Sequence, residues 1–152
     1  MLLTELLKVD RIKIPLTAIA KDELLQELVE IAVRTTEGAD HDEVLRAVRE
    51  REEVLSTGIG NGVAIPHGKT SSVPSLALAA GVTGSAVDFE ALDGQPVRLF
   101  FLLVGPESAS GDHVKALSRI SRLLRRDTFR NRLIGAASAQ EFHEIIAEAE
   151  AL

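Results

Sequence analysis

Apolar positions along the chain follow two periods, and each marks a different kind of element. In residues 11–16, "RIKIPL", Ile12, Ile14 and Leu16 alternate with other residues, which predicts a strand with those three side chains turned inward. From Lys21 the pattern changes. "KDELLQELVEIAVRT" places Leu24, Leu25, Leu28, Ile31 and Ala32 at helical spacing. A second helix is expected from Asp40, where Asp40 and Glu43 form a capping-box pattern ahead of Val44, Leu45 and Val48, and it ends before the loop 56–62.

Strand periods then return. Residues 63–65, "VAI", make a short strand stopped by Pro66, because the residue before a proline favours extended backbone. Residues 75–82, "SLALAAGV", alternate as a further strand. Residues 97–104, "VRLFFLLV", are almost continuously apolar, as in a strand covered on both faces, and Gly105-Pro106 ends it. Three helices complete the chain, at about 112–126, 128–136 and 139–150, the last opened by a second capping pattern at Ser138 and Glu141. Strands interleaved with helices that can cover both faces of a sheet give a single α/β domain.

Composition narrows the function. The 152 residues suit one domain with a real core, and the 45% hydrophobic and 26% charged content is that of an ordinary soluble protein. The absence of cysteine excludes disulfides, thiolate zinc sites and a cysteine nucleophile. The N-terminal segment has no apolar run suited to a signal peptide, and "LFFLLVG" at 99–105 is too short to span a bilayer, so a cytoplasmic location is expected. A net charge of −6 argues against nucleic acid as a partner, and with no Trp or Tyr and only five Phe the chain lacks a stacking platform for bases or sugars. Charge is uneven: residues 1–55 carry 13 acidic and 8 basic side chains, residues 112–132 carry 7 basic and 2 acidic. Lys115, Arg119, Arg122 and Arg126 form one helical stripe opposite Leu117, Ile120 and Leu124, which reads as a solvated face or as a docking face for an acidic partner.

The chemistry concentrates in residues 56–69, "STGIGNGVAIPHGK". Gly58, Gly60 and Gly62 suggest a tightly bent backbone, and His67 follows between Pro66 and Gly68. A phosphate-binding P-loop fails on register, since Gly68-Lys69-Thr70 would need a glycine at 63, where Val63 stands. A dinucleotide fingerprint fails at the same position. His41, His67, His113 and His143 show no ligand spacing for a metal, and no nucleophile elbow exists for a serine triad. Two readings of His67 remain: an ordinary turn histidine, or a nucleophile. Imidazole has a pKa near ~6.5, and fixing the proton on one nitrogen leaves the other free to attack phosphorus. Pro66 would stiffen such a site, and Gly68 would leave room for a partner's backbone.

The longer run "REREEVLSTGIGNGVAIPHGK" closely resembles the active-site region of enzyme IIA domains of the fructose–mannitol class in the bacterial phosphotransferase system, and most of all the nitrogen-regulatory branch. "FEALDGQPVRLFFLLVGP" and "DHVKALSRISRLL" extend the resemblance over nearly the whole chain, 1–152. It implies a mixed β-sheet flanked by helices on both faces. It implies that His67 accepts a phosphoryl group from an HPr-type phosphocarrier protein, and nothing in the sequence calls for a cofactor or metal. Arg51, sixteen residues before His67, matches an arginine beside the family's phosphohistidine, although among Glu50, Glu52 and Glu53 it also reads as a solvated helix-end residue. His113 matches the family's second active-site histidine. It falls at an expected helix start after Gly111 and Asp112, a setting that favours anions and a neutral imidazole, so a donor role is expected rather than a second nucleophile. Against that stands a partly buried cap-region histidine. The Val114 that follows stands where relatives often carry leucine, which bears on packing and not on chemistry. His41 and His143 match nothing functional.

The resemblance leaves the recipient open. The chain stops at Leu152 without a IIB or membrane domain, so a regulatory target protein is the expected partner. A sugar-specific component that passes phosphate to a IIB domain is the alternative. A binding module that has lost phosphotransfer is the third.

Overall fold

The computed structural model describes residues 1–151. Six strands form one mixed sheet: β1 (Ile12–Leu16), β2 (Gly58–Gly60), β3 (Val63–Ala64), β4 (His67–Lys69), β5 (Ala77–Val87) and β6 (Val97–Gly105). Six α-helices surround it: α1 (Leu3–Leu6), α2 (Lys21–Arg34), α3 (His41–Val54), α4 (Ser110–Leu123), α5 (Asp127–Ile134) and α6 (Ala139–Glu150). The sheet order is β1-β5-β6-β3-β2, with β4 also on β6. β5 and β6 run antiparallel at the centre, whereas β1 lies parallel to β5, and β3 and β4 parallel to β6.

The near-continuous apolar run on β6 has the cause its composition suggested, because both sides of that strand are covered. Phe100, Leu102 and Val104 enter one core with Leu24 and Leu28 of α2 and Val44 and Val48 of α3. Leu99, Phe101 and Leu103 enter the other with Ile120 of α4, Phe129 and Leu133 of α5, and Phe142 and Ile146 of α6. Each fully buried Leu or Phe contributes roughly 1.5–3 kcal/mol by leaving water. Helices α3 and α6 start where their caps predicted, whereas the short α1 was not expected from the sequence. Asp40 Oδ1 accepts from the Glu43 amide and Ser138 Oγ from the Glu141 amide, both at 3.1 Å.

Three differences from the sequence expectation have physical reasons. Ile12 and Ile14 pack against the α4–α6 core, but Leu16 joins the α2–α3 core. The β1–β5 register shifts between Lys13 and Leu16, across Pro15, which has no N–H for the ladder. Strand β5 runs on to Val87, beyond the expected end at 82, because it stays paired with β6 through Val87↔Val97. Pro66 interrupts a strand without ending it: β3 stops at Ala64, and the chain rejoins the same edge of β6 as β4.

On the helix α4 stripe, Lys115, Arg122 and Arg126 are exposed, while Ile120 and Leu124 are buried. Arg119 is tied down. Its Nε donates at 2.7 Å to Glu150, which also accepts from the Leu3 and Thr4 amides and so fastens α1 to α6.

Candidate functional site

Register decides where each residue of the "HGK" strand points. His67 pairs with Leu103 and Gly68 with Val104, and paired residues share a face of a sheet. His67 therefore lies on the α4 side, with Leu103, and Gly68 on the α3 side, with Val104. A Cβ at Gly68 would lie 3.0 Å from the backbone of Ala47 and Val48 in α3. The glycine is there because helix α3 crosses the strand, and not to admit a partner protein as the sequence suggested. Lys69, two residues on from His67, shares its side of the strand and is exposed.

The glycine loop is built by mutual bracing with residues 88–96. Gly60 and Gly62 take φ of +100° and +76°, and Asn61 between them takes +58°. A Cβ at Gly58 would sit 2.7 Å from that of Ala91, so this glycine allows the two loops to touch. The Leu92 amide donates to Gly58 O at 2.9 Å and the Asn61 amide to Asp93 Oδ2 at 3.2 Å. The "FEALDGQ" segment thus supports the turn that leads into β3 and β4.

His67 is half-buried on strand β4. Its Nδ1 lies 2.9 Å from Ile65 O. A carbonyl can only accept, so Nδ1 carries the proton and Nε2 keeps the lone pair in the neutral ring. Burial holds its pKa below the ordinary histidine value. The Ile65 bond and the Glu52 carboxylate oppose that shift, and the Arg51 and Lys69 charges add to it.

His113 sits in the first turn of α4, and only 3% of it is exposed. Its ring meets that of His67 edge to face, with centroids 5.5 Å apart. Neither of its ring nitrogens has a hydrogen-bond partner. Burial first, then the neighbouring His67 and Lys69 charges, depress its pKa to about 4, so the ring is neutral at pH 7. Arg51 lies near the end of α3 and donates from Nη1 to Leu55 O at 2.8 Å. That bond leaves its other guanidinium N–H groups available.

Of the three residues singled out from the sequence, His113 packs against His67 and the Arg51 charge acts on it. Lys69 and Glu52 also belong to the surroundings of His67. Lys69 carried no signal, because the three-residue strand that puts it on the His67 side has no period to read. Glu52 gave no signal, since its bonds to Thr57 and Lys21 exist only once the turn after α3 and the fold have formed. His41 is exposed beside Asp42, and His143 is half-buried on α6.

Among the described residues no group of three or more His, Asp or Glu is arranged to hold a metal ion. A groove of about 840 Å³ is lined by Lys21, Arg49, Glu52, Ser56 and Glu90 among others and does not include His67.

Comparison with known proteins places the fold and the family. The chain is 40% identical over 146 residues to the fructose-specific EIIABC component of Bacillus subtilis, covering 96% of this chain and 23% of that much longer protein. It is 38% identical over 145 residues to the nitrogen regulatory protein of Bradyrhizobium diazoefficiens, covering 95% and 94% of the two chains. The crystal structure of nitrogen regulatory protein IIA-Ntr from Neisseria meningitidis superposes with a TM-score of 0.89 at 33% identity, over 95% of this chain and 98% of that one. With residues 5–149 matching the family model for the phosphoenolpyruvate-dependent sugar phosphotransferase system, EIIA 2, the chain belongs to that family of phosphotransferase components.

Proposed function

We propose that this chain is a phosphocarrier whose His67 Nε2 accepts a phosphoryl group from the histidine of an HPr-type carrier protein, with Arg51 and His113 stabilising the transferred group. The observation that carries the reading is the Nδ1–H bond to Ile65 O, which fixes the tautomer with Nε2 free, beside a buried His113 with two unpartnered nitrogens.

In the transfer, the Nε2 lone pair forms the new N–P bond as the donor's P–N bond breaks in line, and that bonding pair leaves with the donor imidazole. The His67 ring gains positive charge as it bonds phosphorus, and Ile65 O, accepting from Nδ1–H, stabilises that charge. The free N–H groups of Arg51 suit the phosphoryl oxygens, where charge is spread in the transition state. A neutral His113 can donate one N–H to the same oxygens.

We assign the chain a regulatory role, in which charge placed on His67 switches binding to a target protein. The likeness to nitrogen regulatory proteins over nearly their full length supports this. A second reading, delivery of phosphate to a sugar-specific IIB domain, is favoured by the 40% identity to the fructose component. Both readings place the chain in the cytoplasm. Among the described residues no helix is long and apolar enough to cross a membrane.

The test is intact-protein mass after incubation with phosphoenolpyruvate, enzyme I and an HPr-type carrier, for wild type and His67→Ala together. We expect an acid-labile gain of one phosphoryl group in wild type alone. No gain with any carrier from the same organism overturns the reading and leaves a binding module that has kept the fold.

A further inference from the structure

Glu52 is a buried carboxylate that phosphoryl chemistry at His67 does not itself require. The residue is 6% exposed, follows Arg51 directly, and stands on the last turns of α3. Its two oxygens accept from the Thr57 amide at 3.1 and 3.0 Å and from the Thr57 hydroxyl, and Lys21 Nζ lies 3.0 Å away. Burying a carboxylate is costly unless such partners satisfy it, so its presence calls for a reason.

The hydrogen bonds beyond Thr57 supply one. Thr57 O accepts from the Ile65 amide at 2.9 Å, and Ile65 O accepts from His67 Nδ1 at 2.9 Å. Three successive bonds thus run from Glu52 through Thr57 and Ile65 to the imidazole. Arg51 holds the other side of the same turn, through Leu55 O. We propose that Glu52 is a positioning residue for phosphoryl acceptance: through Thr57 and Ile65 it sets the orientation and tautomer of His67, and it fixes the turn on which Arg51 is anchored. The proposal rests on the phosphocarrier reading. It adds a residue that touches neither His67 nor the phosphoryl group.

Charge acts in the same direction. The groups bearing on His67 are Arg51 and Glu52 from α3, Lys69 from β4 and the neutral His113 from α4, and Glu52 is the one anion among them. A ring that becomes cationic on bonding phosphorus gains from that anion, which Lys21 only partly offsets.

The experiment compares wild type, Glu52→Ala, Glu52→Gln and Thr57→Val, with His67→Ala as control. Three quantities are read: the single-turnover rate of phosphoryl acceptance, the His67 tautomer and titration midpoint by nitrogen-15 NMR, and the melting temperature. In Glu52→Ala we expect acceptance to fall on the order of tenfold to a hundredfold. The Nδ1–H tautomer should lose population and the His67 midpoint should move to lower pH. Glu52→Gln, whose amide oxygen can still accept from the Thr57 amide, should recover the tautomer and part of the rate. A Glu52→Ala variant that melts earlier but keeps the wild-type tautomer, midpoint and rate overturns the proposal and leaves Glu52 a structural residue. Should that variant fail to fold, Thr57→Val, which loses the hydroxyl bond alone, decides: a smaller loss of the same kind supports the proposal, and wild-type values overturn it. A wild type that takes up no phosphoryl group overturns the phosphocarrier reading, while the tautomer measurement still tests what Glu52 does to His67.

Discussion

The His67 and His113 rings meet at 66° with their centroids 5.5 Å apart, and only one of them has a hydrogen bond. His67 spends Nδ1 on Ile65 O. His113 spends neither nitrogen, although burial makes an unpaired polar atom cost about 1–3 kcal/mol. Such a group is unfavourable for the resting fold and useful once an anion with several acceptor oxygens arrives beside it. Replacement by phenylalanine separates these two effects. His113→Phe should cut phosphoryl acceptance by roughly a hundredfold, as loss of a preorganised donor does, while leaving the melting temperature unchanged or higher. Single-turnover transfer and a thermal melt on the same sample check this. An equal fall in both would make His113 a packing residue.

The same burial makes the fold sensitive to mild acid. The His113 pKa is about 4 in the folded chain, against the ordinary value of 6.5 in an unfolded one. Between those values the unfolded chain binds a proton that the folded chain refuses. Stability from this group is therefore full above pH 6.5 and falls as pH drops towards 4, by roughly 3 kcal/mol in all. His67, also lowered, contributes with the same sign. Urea unfolding between pH 7 and pH 5 avoids most carboxylate titration and should show the fall. The His113→Phe chain should show a much flatter dependence over that range.

Much of this site was legible in the sequence, and what was hidden depended on pairing. Helices α2 to α6 declared themselves through apolar spacing and through the caps at Asp40 and Ser138, since both signals are local, whereas α1, a single turn, is too short to show a period. Strand β6 did so through its unbroken apolar run. Strands β2 and β4 gave no signal, because three residues with one or two glycines carry no period to read, and only their pairing with β3 and β6 makes them strands. His67, Arg51 and His113 were visible through resemblance to a family and not through geometry. The tautomer of His67 was not visible, since it depends on one carbonyl two residues away. Glu52 was hidden for a related reason: its role emerges only when Thr57 is seen to bond both Glu52 and Ile65.

Gly68 was misread for want of a neighbour, and that neighbour gives a prediction. With Ala47 and Val48 backbone 3.0 Å from where a Cβ would stand, Gly68→Ala must push α3 away from β4. Backbone cannot rotate aside as a side chain can, so the substitution should cost about 1–3 kcal/mol, in the range of overpacked cores. It should also impair phosphoryl acceptance, because α3 carries Arg51 and Glu52 on one side of the displaced contact and β4 carries His67 on the other. Denaturant unfolding and single-turnover transfer measure the two effects. An alanine variant of wild-type stability would mean that the helix and strand can separate freely, and the coupling between α3 and His67 would fail with it.

Lys69 offers the last test, because its effect on His67 has a defined sign. Its ammonium stands on the His67 side of β4 and depresses the pKa of both histidines. Lys69→Gln should therefore raise the His67 midpoint, and the acid limb of phosphoryl acceptance should move to higher pH, since only the neutral ring has a lone pair to give. Above that limb the variant should still be slower, on the order of tenfold, if the ammonium also meets the phosphoryl oxygens during transfer. Salt should reproduce the midpoint shift in wild type and do less in the variant, because an exposed charge is screened over about 8–10 Å. Nitrogen-15 titration of His67 at two ionic strengths, beside transfer rates across the same pH range, separates the contributions. A midpoint that moves without loss of rate at high pH limits Lys69 to tuning the nucleophile. A loss of rate at every pH places its charge on the phosphoryl group itself, where Arg51 would not act alone.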